Sequence, residues 1–203
     1  VLEIVNEAKR AVGAELDSVI GFADEDITRN NKYERESQLG NLISDIIREW
    51  AKTDLAFQNS GGIRADIKKG NITKRTVYNV QPFDNTVVVI ELTGKDIEDV
   101  LAMSLSNKYG GLQVSGAKIY YKTDHHGFKI KEIYIRDNLL KREAKYTVAT
   151  NSYLAYGGEG YDLNRKGRII NDTGVNLRDV IINYIKDRKT IRGVKEKRYF
   201  EVY

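Results

Sequence analysis

Cysteine is absent from the 203-residue chain, which excludes disulfides, zinc–thiolate centres and cysteine nucleophiles. Proline occurs once, at Pro82, so most turns must be marked by the 17 glycines. Histidine occurs only as the adjacent pair His125 and His126, ahead of Gly127 in an expected strand-connecting loop. Two neighbouring residues cannot by themselves complete a two-metal centre. No Gly-x-Ser-x-Gly elbow is present, and neither histidine has the context of a catalytic triad. No run approaches the roughly 20 apolar residues needed to span a bilayer, so no membrane segment is expected. A basic n-region and an apolar h-region are also lacking, and the chain begins at Val1 rather than Met, as expected of a mature or excised fragment.

What is present is a globular composition, with 41% hydrophobic and 31% charged residues. The 33 basic and 29 acidic side chains leave a net charge of only +4. The densest basic run, Lys186 to Arg198, is interrupted by Asp187 and Glu196. It reads as a solvated surface, so nucleic acid is not an expected partner.

The pattern alternates helices and strands. Leu39, Leu42, Ile43, Ile46, Ile47 and Trp50 recur at helical spacing, predicting a helix that ends near Thr53, followed by a strand over Asp54 to Gln58. Asn85 to Leu92 is a β-branched run, and Thr93-Gly-Lys-Asp96 has the form of a capping box for a helix carrying Ile97, Val100, Leu101 and Leu105. Strands are predicted at Leu112 to Lys122, Lys129 to Arg136 and Lys145 to Asn151. A late helix is expected around Leu177 to Ile185, with a terminal strand near Tyr199 to Tyr203. Ile4, Val5, Ala8, Val12 and Leu16 suggest an opening helix within residues 1–20. The expected fold class is α/β, a layered sandwich of mixed sheets covered by helices, with residues 1–203 forming one domain.

Three segments stand out from scaffolding: Arg35-Glu-Ser-Gln-Leu-Gly-Asn41, Asn59-Ser-Gly-Gly-Ile-Arg64 and Asn151-Ser-Tyr-Leu-Ala-Tyr-Gly-Gly-Glu-Gly-Tyr161. Each lies at the end of a regular element, where a rigid scaffold can aim binding groups. Gly61 and Gly62 permit backbone conformations closed to other residues and a close approach to a ligand. Arg64 offers a planar fork suited to phosphate or carboxylate. Taken alone, the same residues also fit a tight turn with a surface arginine.

Together with Gln81-Pro-Phe-Asp-Asn85 and Leu112-Gln-Val-Ser-Gly116, these segments resemble, in order, the C-terminal domain of the 5'-nucleotidase family. The resemblance spans about Glu34 to Tyr161. It implies a domain that grips a nucleotide or nucleoside, with Phe83 and Tyr153 at the positions of an aromatic clamp around the base. Asn59 and Asn85 match positions that approach the nucleoside, Arg64 and Arg35 those that face the phosphate, and Glu159 the carboxylate that binds ribose. Gly61 and Gly62 fall in the same binding loop. Two substitutions depart from the family pattern. Tyr153 stands for a phenylalanine, adding a hydroxyl, and Glu159 stands for an aspartate, setting its carboxylate one methylene further out.

The resemblance further implies a covalently preceding metallophosphoesterase domain whose two divalent metal ions would activate water for attack on phosphorus. No metal or other cofactor is expected in this chain, which alone would be inactive. Residues 1–20 would lead in from that domain, and an extracytoplasmic setting, periplasmic, secreted or at the cell surface, would follow. The alternative is a stand-alone nucleoside- or nucleotide-binding module without catalysis.

Overall fold

A computed structural model of the chain describes residues 13–29, 35–106 and 111–203. Its central feature is a mixed five-stranded sheet in the order β10-β4-β9-β2-β5, built from β2 (Leu55–Asn59), β4 (Thr86–Thr93), β5 (Leu112–Ser115), β9 (Lys145–Asn151) and β10 (Arg168–Asn176). Its inner strands are buried on both faces, and successive side chains sort into two cores as the period of two demands. Ala56, Val87 and Ala149 enter one core, while Leu55, Phe57, Val88, Ile90 and Val148 enter the other.

On the first face lie α1 (Gln38–Ala51), α2 (Lys74–Val80) and α6 (Leu177–Arg188). A three-stranded sheet completes this layer, with β1 (Val19–Ala23) between β11 (Thr190–Ile191) and β3 (Gly70–Thr73). The second face is covered by α3 (Gly94–Ser106) and a four-stranded sheet. That sheet contains β6 (Ala117–Asp124), β7 (Gly127–Ile135), β8 (Asn138–Leu139) and β12 (Tyr199–Glu201). Two short helices, α4 (Ser152–Ala155) and α5 (Leu163–Lys166), lie between β9 and β10 in the chain. The expected layered α/β sandwich is the observed architecture. Among the described residues no helix is long and apolar enough to cross a membrane.

Local chemistry accounts for the boundaries. Ser37 caps α1 by accepting from the Gly40 amide at 3.0 Å, and Lys52 closes the helix in a left-handed conformation. Thr93 and Asp96 cap each other reciprocally at the start of α3, the Thr93 amide donating to Asp96 at 3.1 Å and the Asp96 amide to Thr93 at 3.2 Å.

Several expectations are corrected. Leu112 to Lys122 is two strands in different sheets, because Gly116 adopts φ +86° and lies so close to Asp54 that a Cβ would stand 2.2 Å from its carbonyl oxygen. The opening helix falls largely outside the described residues. Residues 13–16 are helical, but Val19 and Ile20 belong to β1. There Gly21 lies against α6, with room for no side chain beside Ile185. The basic run is not wholly solvated either. Arg198, its side chain only 5% exposed, pairs with Asp45 at 2.7 Å.

Candidate functional site

Topology gathers the site. β2 and β9 run parallel and end side by side at Asn59 and Asn151, while β4 runs antiparallel to β9 and begins at the same end, Val87 opposite Asn151. Three loops therefore meet at one edge: residues 60–64 after β2, residues 81–85 before β4, and residues 152–161 after β9.

Between them lies a cavity of about 620 Å³ lined by Asn59, Gly61, Gly62, Arg64, Phe83, Asn85, Tyr153 and Glu159. The volume lies in the range of small-molecule sites. Phe83 and Tyr153 are 47% and 48% exposed, so both rings are available at the cavity rather than consumed in a core.

Its floor is a fixed polar network. The Asn59 amide nitrogen donates to Glu159 Oε1 at 2.8 Å, and Asn59 Oδ1 accepts from Asn151 at 3.0 Å and Gln58 at 3.3 Å. Asn151 also donates to Gln58 Oε1 at 2.9 Å, and its own Oδ1 accepts the Leu154 amide at 2.9 Å, capping α4. Asn59 is thus committed to aiming Glu159, which leaves it less capacity for a ligand than a free amide. Glu159 Oε2 is buried and has no hydrogen-bond partner among the described residues. The backbone of Glu159 has φ +53°, a conformation costly for a residue with a Cβ.

The glycines work through space. Neither Gly61 nor Gly62 has a positive φ, contrary to the expectation of special backbone angles. A Cβ at Gly61 would stand 3.0 Å from Glu159 Oε1, and one at Gly62 2.7 Å from Gln58 Nε2, inside the network. At Gly158 it would stand 2.4 Å from the Tyr153 ring.

Arg64 is exposed at the cavity, its guanidinium donating to the Gly61 carbonyl at 3.2 Å. Arg35 is not among the lining residues. Its guanidinium donates to the Leu105 carbonyl at 2.6 Å and lies 3.9 Å from the Phe128 ring centroid. The expected convergence of Arg35 with Arg64 is absent from this arrangement because a carbonyl and an aromatic face hold Arg35 elsewhere.

Gln113 explains why two motifs far apart in sequence accompany the site. Its amide nitrogen donates to Ser60 at 2.8 Å and to the Arg35 carbonyl at 3.3 Å, while its oxygen accepts the Ser37 amide at 2.9 Å. A Cβ at Gly40 would collide with it at 2.0 Å. Sequence reasoning missed Gln58, Asn151 and Gln113 as supports of the site; a polar side chain in an otherwise apolar strand was the available signal. In the loop after β9, the Tyr156 hydroxyl donates to the Asp172 carboxylate at 2.8 Å, which raises that phenol's pKa.

His125 and His126 form the exposed turn between β6 and β7. Among the described residues no group of three or more His, Asp or Glu is placed to hold a metal ion. The described residues therefore offer no donor set for a metal pair.

The family model described as "5'-nucleotidase, C-terminal domain" matches residues 19–165. The chain belongs to this family. A solved 5'-nucleotidase precursor from Thermus thermophilus superposes with a TM-score of 0.84 at 33% identity, covering 98% of this chain and 42% of that one. The cell wall protein Lmo0130 of Listeria monocytogenes is 34% identical over 92% of the chain, and the trifunctional nucleotide phosphoesterase YfkN of Bacillus subtilis 36% identical over 71%. The chain spans only 26% and 11% of the lengths of these two relatives. Members of the family thus carry this fold as one part of longer proteins.

Proposed function

We propose that the chain is the nucleotide-recognition part of a metal-dependent 5'-nucleotidase or related nucleotide phosphohydrolase, a phosphoric ester hydrolase. The observation carrying this reading is one cavity that offers two available aromatic rings above a rigid floor ending in a carboxylate. A nucleoside has the complementary parts. Its base stacks on π-faces with little regard to identity, its sugar hydroxyls donate to Glu159, and Asn85, also in the lining, offers an amide to polar edges. A 5'-phosphate would extend toward Arg64, the exposed cation of the lining set. Arg35 would join it only by leaving Phe128.

Hydrolysis itself belongs to a preceding metallophosphoesterase domain with two divalent ions, and this part contributes positioning, a proximity effect. The coverage of longer relatives supports such a partner, and the cell wall name of one relative supports an extracytoplasmic setting. Titration of the chain with adenosine and AMP tests the reading. Saturable binding that Phe83→Ala weakens is expected. No binding at millimolar ligand, before and after that substitution, would sink it.

A further inference from the structure

Phe83 and Asn85 line the cavity, yet they sit in a loop that contains the only proline and no regular structure. Such a loop needs an anchor to present a ring in one place. The anchor lies on α6, a helix that contributes nothing to the cavity lining. The guanidinium of Arg178, its side chain 10% exposed, donates to the carbonyls of Gln81 at 3.3 Å and Phe83 at 3.2 Å and also bonds the Asp84 carboxylate. Its other flank lies 4.4 Å from the Tyr78 ring centroid. The neighbouring Leu177 amide donates to the Asn85 carbonyl at 2.9 Å. Two consecutive residues at the start of α6 therefore hold residues 81, 83, 84 and 85.

We infer that Arg178 is a positioning residue for the aromatic wall of the site: it fixes the Phe83 loop from behind and thereby sets how well the ring meets a planar ligand. The chemistry suits arginine. Its planar fork reaches two carbonyls and a carboxylate at once, and its face stacks on Tyr78, which the point charge of a lysine cannot reproduce. Asp84, with its side chain 86% exposed, contributes a screened charge, so the buried and half-buried carbonyl contacts carry most of the anchoring. The inference rests on the proposed nucleoside site for its ligand readout, but not for its structural one.

The test is a double-mutant cycle read by adenosine binding to the folded chain. Arg178→Gln is expected to weaken adenosine by roughly tenfold when Phe83 is present, the scale of one lost stacking contact, and to have no further effect beside Phe83→Ala. Equal losses in both backgrounds, or none in either, would overturn the inference. Should Arg178→Gln fail to fold, Arg178→Lys replaces it in the same cycle, with the same expected pattern at smaller size. Amide exchange of the ligand-free chain decides the matter independently of adenosine. The Leu177 amide, bonded to Asn85, and the Thr86 amide, bonded to Ser152 at 3.1 Å, should exchange faster in Arg178→Lys, while amides of α1 do not change. Unchanged exchange at both positions would refute the anchoring. Failure of the natural chain to bind adenosine, with altered exchange, would instead remove only the proposed function.

Discussion

The two aromatic residues of the cavity are held in different ways. Phe83 rides on an irregular loop tied down by a guanidinium and an amide from α6. Tyr153 stands in the first turn of α4, capped by Asn151, with its ring against the bare backbone of Gly158. One wall is fixed by a long-range cation, the other by a local cap and the lack of a side chain. A loop must borrow rigidity from elsewhere, whereas a helical turn needs only its cap and a clear space beside it.

The sharpest way to break the second wall is Asn151→Ala. It removes the cap of α4 and leaves Gln58 and Asn59 short of buried partners, so a loss of about 3 kcal/mol in urea unfolding is expected. A change below about 1 kcal/mol would show the network to be dispensable. Gly158→Ala should lower stability as well as act on the ring, since its Cβ would also stand 2.6 Å from the Tyr153 carbonyl oxygen. Because its Cβ would invade the Tyr153 ring, adenosine binding should weaken by roughly tenfold, about as much as for Tyr153→Ala. Calorimetry finding the two variants far apart would argue against a shared cause.

Smaller effects separate the floor from the walls. Glu159→Gln keeps an oxygen for Asn59 but removes the charge, and adenosine should weaken by about fivefold while free adenine is nearly unaffected. Equal weakening for both ligands would place the carboxylate's role outside sugar binding. Arg35→Ala should have the least effect, leaving adenosine affinity within about twofold, because its lost interactions are with Leu105 and Phe128. A tenfold loss for AMP alone would show that Arg35 leaves Phe128 to meet phosphate.

Much of this was legible in the sequence because it is local. The β-branched run of β4, the Thr93 to Asp96 cap and the apolar stripe of α1 are read from neighbours within a few residues. Eight of the expected binding residues line one cavity for a related reason, since their motifs sit at strand ends that the parallel pairing of β2 and β9 brings together. What stayed hidden depends on distant contacts. β10 is a polar edge strand with β4 as its sheet neighbour, so its burial does not alternate. Arg178 and Arg198 look like surface cations until chain segments 94 to 97 and 153 residues away supply their partners. Arg35 went elsewhere because Phe128, on another sheet, offered its face.

The anchoring of residues 81–85 by Leu177 and Arg178 also bears on how the chain is made. Synthesis delivers the Phe83 loop more than 90 residues before the helix that secures it, and each segment leaves the ribosome in that order. The strands beneath the cavity can pair while α6 is still being translated, but the loop lacks its Arg178 and Leu177 contacts until the helix emerges. A truncation just before Asn176 would therefore retain every residue of the cavity lining while lacking the part that makes its Phe83 side a defined surface.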